Sequence, residues 1–178
     1  MVADLAIKLA TQLARTAESP TEPSTNDVPV LRRAAMDVLA RREHSQFELR
    51  QKLSRKFPEA DTLVIDAVIE TLREEKLQSD DRFTEYYVRY RKSRGFAYLH
   101  IRSELAARHV PQHIIEAHLF EDDADWNLLA HYQVQKRLRG LPSIKFGDRQ
   151  HRAIVRFLES RGFTLSSIRK VLEPRLVY

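Results

Sequence analysis

Two stretches of this chain are close copies of each other, and no other feature constrains its fold as tightly. Residues 94–105 read RGFAYLHIRSEL and residues 161–172 read RGFTLSSIRKVL. Without a gap they agree at Arg94/Arg161, Gly95/Gly162, Phe96/Phe163, Ile101/Ile168, Arg102/Arg169 and Leu105/Leu172. A further shift places Leu53 in the Leu105 column, Arg50 under Arg102, and Ser45 under Ala97 and Thr164. Chance similarity between amphipathic helices accounts for shared apolar columns, but not for a shared Arg-Gly-Phe turn. Short helical repeats bury little surface alone and must lean on their neighbours. The expected fold is therefore all-α, with tandem three-helix repeats forming an elongated, curved body.

The units can be bounded from the pattern. Ser45 and Glu48 form a capping box, and Ile65, Val68, Ile69 and Leu72 follow the i, i+3, i+4, i+7 spacing of a helix with one buried face. Together with Leu31, Ala35, Val38 and Leu39 they define a first repeat at 31–79. The second, 80–122, opens at Asp80 as N-cap, with Phe83, Tyr86, Tyr87 and Tyr90 assigned inward and Pro111 in the first turn of its last helix. The third, 123–178, carries Trp126, Leu129 and Ala130, then Ile154, Val155 and Leu158, then Leu165, Ile168 and Leu172. Its longer register is assigned to an insertion at the Gly140–Gly147 loop. Ahead of the repeats, Leu5, Leu9 and Leu13 predict a short helix over 2–16, and the Pro- and Ser-rich 17–30 a flexible linker.

Catalytic scaffolds are missing from the letters. The four glycines form no GxxxxGK[ST], GxGxxG or GxSxG motif. His109, His113 and His118 are broken up by Pro111 and lack a completing thiolate, so no metal site is expected. Glu121, Asp122, Asp123 and Asp125 read as an acidic turn favouring the next helix start. No cofactor and no enzyme activity are expected. The absence of cysteine fits a reducing cytoplasm, and no apolar run approaches the roughly 20 residues a membrane span requires.

Charge carries more information. The chain has a formal net charge of +5 and a pI near 9.6, and its cations are clustered. Arg41–Lys56 holds six Lys/Arg against two acids, and Arg82–Arg108 seven against two. Lys136–Arg175 holds eleven against three. Arg50, Arg102 and Arg169 share one column, so a stacked array would repeat a positive charge along one side, the footprint for a phosphate backbone or an acidic groove. The tyrosines of the second repeat can stack bases, but their helical spacing favours core packing.

LARREHSQFELRQKL at 39–53, IRSELAARHV at 101–110 and the Arg-Gly-Phe-led helix at 161–172 resemble the RecX family of regulators of the recombinase RecA. The resemblance covers residues 31–173. It implies tandem three-helix repeats and binding within a RecA filament on DNA, with inhibition of ATP hydrolysis, strand exchange and co-protease activity and no cofactor. Arg41, Arg42, Arg50, Lys52, Arg91, Lys92, Arg94, Arg102, Arg108 and Arg169 are the residues expected to face RecA or, weakly and without sequence preference, DNA phosphates. The chain is expected to be a monomer. It departs from the family at Ala97–Ile101, where Gly-Pro-x-Arg-Ile is usual and His100 replaces the arginine. It departs again at Arg108–Val110, where His109 replaces a turn glycine. A stand-alone helix-turn-helix DNA-binding protein and a pure protein-interaction scaffold remain the alternatives.

Overall fold

The computed structural model describes residues 27–138 and 143–177; the helix expected over 2–16 and most of the 17–30 linker lie outside them. The chain forms α1 (Val28–Leu39), α2 (Gln46–Lys56), α3 (Thr62–Glu74), α4 (Asp80–Ser93), α5 (Tyr98–Ala106), α6 (Gln112–His118) and α7 (Asp125–Leu138). There follow β1 (Ile144–Lys145), α8 (Arg149–Ser160), α9 (Leu165–Leu172), a 3-10 turn (Glu173–Arg175) and β2 (Leu176–Val177). The two short strands pair in parallel, Ile144 with Leu176, closing the end of the array. The fold is all-α, a tandem array of three-helix repeats.

Capping residues set where the helices begin. Side chains of Ser45, Asp61, Ser79, Asp148 and Thr164 each accept a hydrogen bond from a first-turn N–H, satisfying donors that have no intrahelical partner. Ser45 performs half of the expected capping box, taking the Glu48 N–H at 3.1 Å. The Glu48 carboxylate does not return to the helix start, because two arginines claim it. Ser79, not Asp80, caps α4; the Asp80 carboxylate instead accepts from the Gln46 N–H and the Gln78 side-chain amide, both at 2.9 Å. Pro111 sits one residue earlier than expected, at the cap position of α6.

The aligned arginines keep their register: Arg50, Arg102 and Arg169 are each the fifth residue of α2, α5 and α9. The helices they sit on are not equivalent in order, however. α2 and α5 are the middle helices of their units, whereas α9 is the last of its own. The added length in the last unit is therefore not confined to the loop: the whole of α7 precedes the matched pair α8–α9. α7 packs chiefly on α9, much as α3 packs on α2, so the third helix of the bundle comes first in the chain.

Two separate cores result. Leu31, Ala35, Leu49, Leu53, Ile65 and Leu72 centre the first, within α1–α3. The second runs without interruption through the other two units, from Phe83, Ile101 and Leu105 to Trp126, Leu158 and Leu172. Leu165, assigned to the inner face of α9, is 68% exposed, and Val171 takes a buried place instead.

The joint between the second and third units is built from the two matched turns. Gly95 and Gly162 both have positive φ (79° and 84°) and close α4 and α8 through the same pair of backbone bonds, Phe96 N–H to Arg91 C=O and Phe163 N–H to Leu158 C=O. α5 starts at Ala97, which has no capping side chain. The turn of the third unit supplies the missing acceptors: Arg161 C=O takes the Ala97 N–H at 2.7 Å, and Gly162 C=O takes the Leu99 N–H at 3.1 Å. One repeat thus caps a helix of its neighbour.

Candidate nucleic-acid interface

The ten cations expected to bind fall into two groups. Arg41, Lys52, Arg94, Arg102 and Arg169 are exposed, and their side chains have no hydrogen-bond or ionic partner among the described residues. The other five are engaged within the protein. Arg50 pairs with Asp66 at 2.6 Å, in a half-exposed bridge. Lys92 pairs with Asp123, holding that carboxyl below the usual carboxylate range, and lies 4.4 Å from the Trp126 ring. Arg42 (2.9 Å) and Arg108 (3.0 Å) share the Glu48 carboxylate, and Arg91 forms a two-pronged pair with Glu104. An arginine whose donors are held by a carboxylate has fewer left for a phosphate.

Of these pairs, Arg108–Glu48 crosses the seam between the first and second units. Arg82 to Glu43 and Gln46 to Asp80 also cross it, and the Gln78 side chain at the end of the first unit donates to the His44 carbonyl beside them. His109 stands where glycine is usual and adopts φ +55°, a conformation histidine tolerates better than most residues. Its ring stacks on Phe47 of the first unit at 4.1 Å, a contact glycine could not make. His100 stacks on Phe96 at 4.4 Å with its Nε2 3.2 Å from Arg91. His118 is hydrogen-bonded to Asp81 at 2.9 Å.

The tyrosines of α4 divide. Phe83 and Tyr87 are buried as expected, and burial pushes the Tyr87 hydroxyl up to about 12. Tyr86 and Tyr90 are not core residues: they are 41% and 44% exposed and stack with rings 6.2 Å apart. Two i, i+4 stripes run side by side on this helix, and only one faces inward.

His44 adds a titratable element to the seam. It is buried, and its Nδ1 lies 2.9 Å from the Arg42 carbonyl, so this nitrogen carries the proton and donates. Nε2 is buried without a partner among the described residues, as is Oε1 of Gln78. Burial first, then the charges of Arg42 and Lys52, lower its pKa below 6.5; the Arg42 carbonyl and Glu48 oppose them. The unfolded chain takes up this proton near pH 6.5 while the folded chain resists it, so the contribution to stability is complete above that pH and is lost as pH falls through it. The melting midpoint should fall between about pH 7.5 and about pH 5.5, and His44→Gln should flatten the slope in that window. An unchanged slope in the variant would exclude His44 as the titrating group.

A surface missed by the expected set lies beside Arg94. Lys136, Arg137 and Arg161 line contiguous hollows there with Tyr90, Phe96, Tyr132 and Phe157, and without a carboxylate among the described residues. The one signal in the letters was the column shared by Arg94 and Arg161.

Tandem three-helix repeats with a cationic, partly aromatic surface define a helical-repeat binding protein. The model of the RecX first three-helix domain matches residues 32–72, and that of the second matches 79–119. The chain is 38% identical over 154 residues to "Regulatory protein RecX" of Pseudomonas savastanoi pv. phaseolicola, covering 86% of this chain and 97% of that one. It is also 38% identical over 151 residues to the protein of the same name from Pseudomonas putida strain GB-1, covering 84% and 94%. A crystal structure of regulatory protein RecX shares the fold with a TM-score of 0.67 at 19% identity, over 84% of this chain and 73% of that one. The chain belongs to the RecX family of regulatory proteins.

Proposed function

We propose that this chain regulates a RecA recombinase by binding its filaments on DNA, chiefly inhibiting ATP hydrolysis, strand exchange and co-protease activity. The observation that carries the reading is the match to regulatory protein RecX across 97% of a relative's length. Charge supports it: Arg41, Lys52, Arg94, Arg102 and Arg169 present cations from all three units that are unpaired among the described residues. Several weak contacts strung along the array would bridge neighbouring filament subunits, so that avidity replaces any single strong contact, and the bridge would oppose the subunit movements coupled to ATP turnover. The protein acts in the cytoplasm, as a monomer.

Purified protein is expected to slow RecA's DNA-dependent ATPase at substoichiometric ratios. Arg94→Glu/Arg102→Glu/Arg169→Glu should raise the half-inhibitory concentration about tenfold and reduce its salt dependence, with the melting midpoint unchanged because none of the three side chains holds the fold together. Absence of inhibition by equimolar protein at low salt overturns the proposal.

A further inference from the structure

We propose that the groove between the second and third units is a binding site for single-stranded nucleic acid, with bases stacked on Tyr90 and Tyr132 and phosphates held by Arg137 and Arg161. This deepens the reading of the chain as a regulator acting on DNA-bound filaments and names a site outside the cations expected from the sequence.

Aromatic rings and guanidinium groups form a row here. From Arg91 the side chains alternate: Phe96 lies 4.1 Å from Arg91 and 4.4 Å from Arg161, and Phe157 lies 5.3 Å from Arg161 and 4.4 Å from Arg137. Arg91 spends its donors on Glu104. Arg161 and Arg137 are placed by aromatic faces instead, and stacking uses no N–H. Arg161 makes one hydrogen bond, to the Arg94 carbonyl at 3.0 Å, and Arg137 makes none among the described residues. Their forks are therefore held in place with most donors available, the condition for capturing a phosphate bidentately. Arg94 and Lys136 stand beside them, and among the described residues no acid lines this part of the groove.

The aromatic part selects the kind of polyanion. Tyr90 and Tyr132 both line the hollow next to these cations and are 44% and 58% exposed. A ring left in water beside unpaired cations offers a face to a flat partner carrying its own negative charge. An unpaired base offers such a face; a duplex hides its faces in its own stack and an acidic peptide has none. On the side of the first unit Tyr90 stacks on Tyr86, and the hollow they line there holds Glu48 and Glu104 with their paired arginines, so the available cations lie on the Arg137–Arg161 side.

Fluorescence anisotropy of a labelled oligothymidylate of about 20 nucleotides, without RecA and at low salt, tests this. Stacking on tyrosine is worth about fivefold or more in affinity per base, so Tyr90→Ala/Tyr132→Ala should weaken binding at least about 25-fold. Tyr90→Phe/Tyr132→Phe should restore it, because the ring and not the hydroxyl does the work. Lys136→Gln/Arg137→Gln should weaken binding and lower the salt slope by up to about 2. A duplex of the same sequence should respond to the charge variants but not to the tyrosine variants. Failure of the wild-type chain to bind the single strand overturns the proposal, and so does an alanine pair that binds within about twofold of wild type. If the alanine pair leaves oligothymidylate binding intact and yet loses inhibition of the RecA ATPase, the groove is a protein contact: the nucleic-acid proposal falls and the regulatory reading stands.

Discussion

Gly162→Ala is expected to lower the melting midpoint by about 5–15 °C, corresponding to about 2–5 kcal/mol from left-handed strain plus overpacking. The residue has φ +84°, and a Cβ placed there would lie 2.3 Å from the His100 backbone nitrogen and 2.9 Å from its Cα. Backbone on the opposite side cannot swing away, so the third unit must lift off the start of α5 and withdraw the carbonyls that cap it. Two other glycines with similar φ serve as controls. At Gly95 the added atom would meet the end of the Gln133 side chain, which can rotate aside; at Gly147 nothing lies within 4 Å. Thermal unfolding of the three alanine variants should therefore rank Gly162 far below Gly95, with Gly147 least affected. Equal midpoints for Gly162→Ala and Gly147→Ala would show that the cross-unit contact carries no weight.

Leu53→Ala should unfold one part of the molecule and spare the rest. Its side chain is almost fully buried in the core of α1–α3, and truncation of such a leucine costs about 2–5 kcal/mol. Among the described residues no buried apolar cluster bridges that core to the second, and the seam consists of hydrogen bonds, part-exposed ion pairs and the Phe47–His109 stack, each worth about 1 kcal/mol. Hydrogen–deuterium exchange should show lost protection over residues 28–74 while 80–172 keep theirs. Leu158→Ala should do the reverse, and spread through both the second and third units because they share a core. Loss of protection over the whole chain in either variant would contradict the division.

Local patterns in the sequence revealed much of this, and the failures have a common origin. The Arg-Gly-Phe columns exposed the repeat because a positive-φ turn followed by a capped helix needs the same residue types wherever it recurs. Ser45 announced the start of α2 for the same reason. Glu48 misled because the capping-box spacing is local, whereas the arginine that takes its carboxylate at 3.0 Å, Arg108, comes from the next unit. Tyr86 and Tyr90 obey the same i, i+4 rule as Phe83 and Tyr87, and spacing alone does not say which of two adjacent stripes meets the core. The alternation of Arg161 and Arg137 with Phe96 and Phe157 brings together the turns after α4 and α8, the end of α7 and the body of α8. Nothing in any one of those segments displays it.

The missing cap at Ala97 has a consequence for how the chain is made. During synthesis the first unit leaves the ribosome with its own caps for α2 and α3 and a core of its own, so it can fold while the rest is still being translated. The second unit cannot follow suit. Two backbone donors at the head of α5 wait for Arg161 and Gly162, more than sixty residues downstream, and its apolar face waits for α7–α9. The order of emergence and the order of completion therefore differ, and a nascent chain halted after α6 would hold one finished unit and one left open.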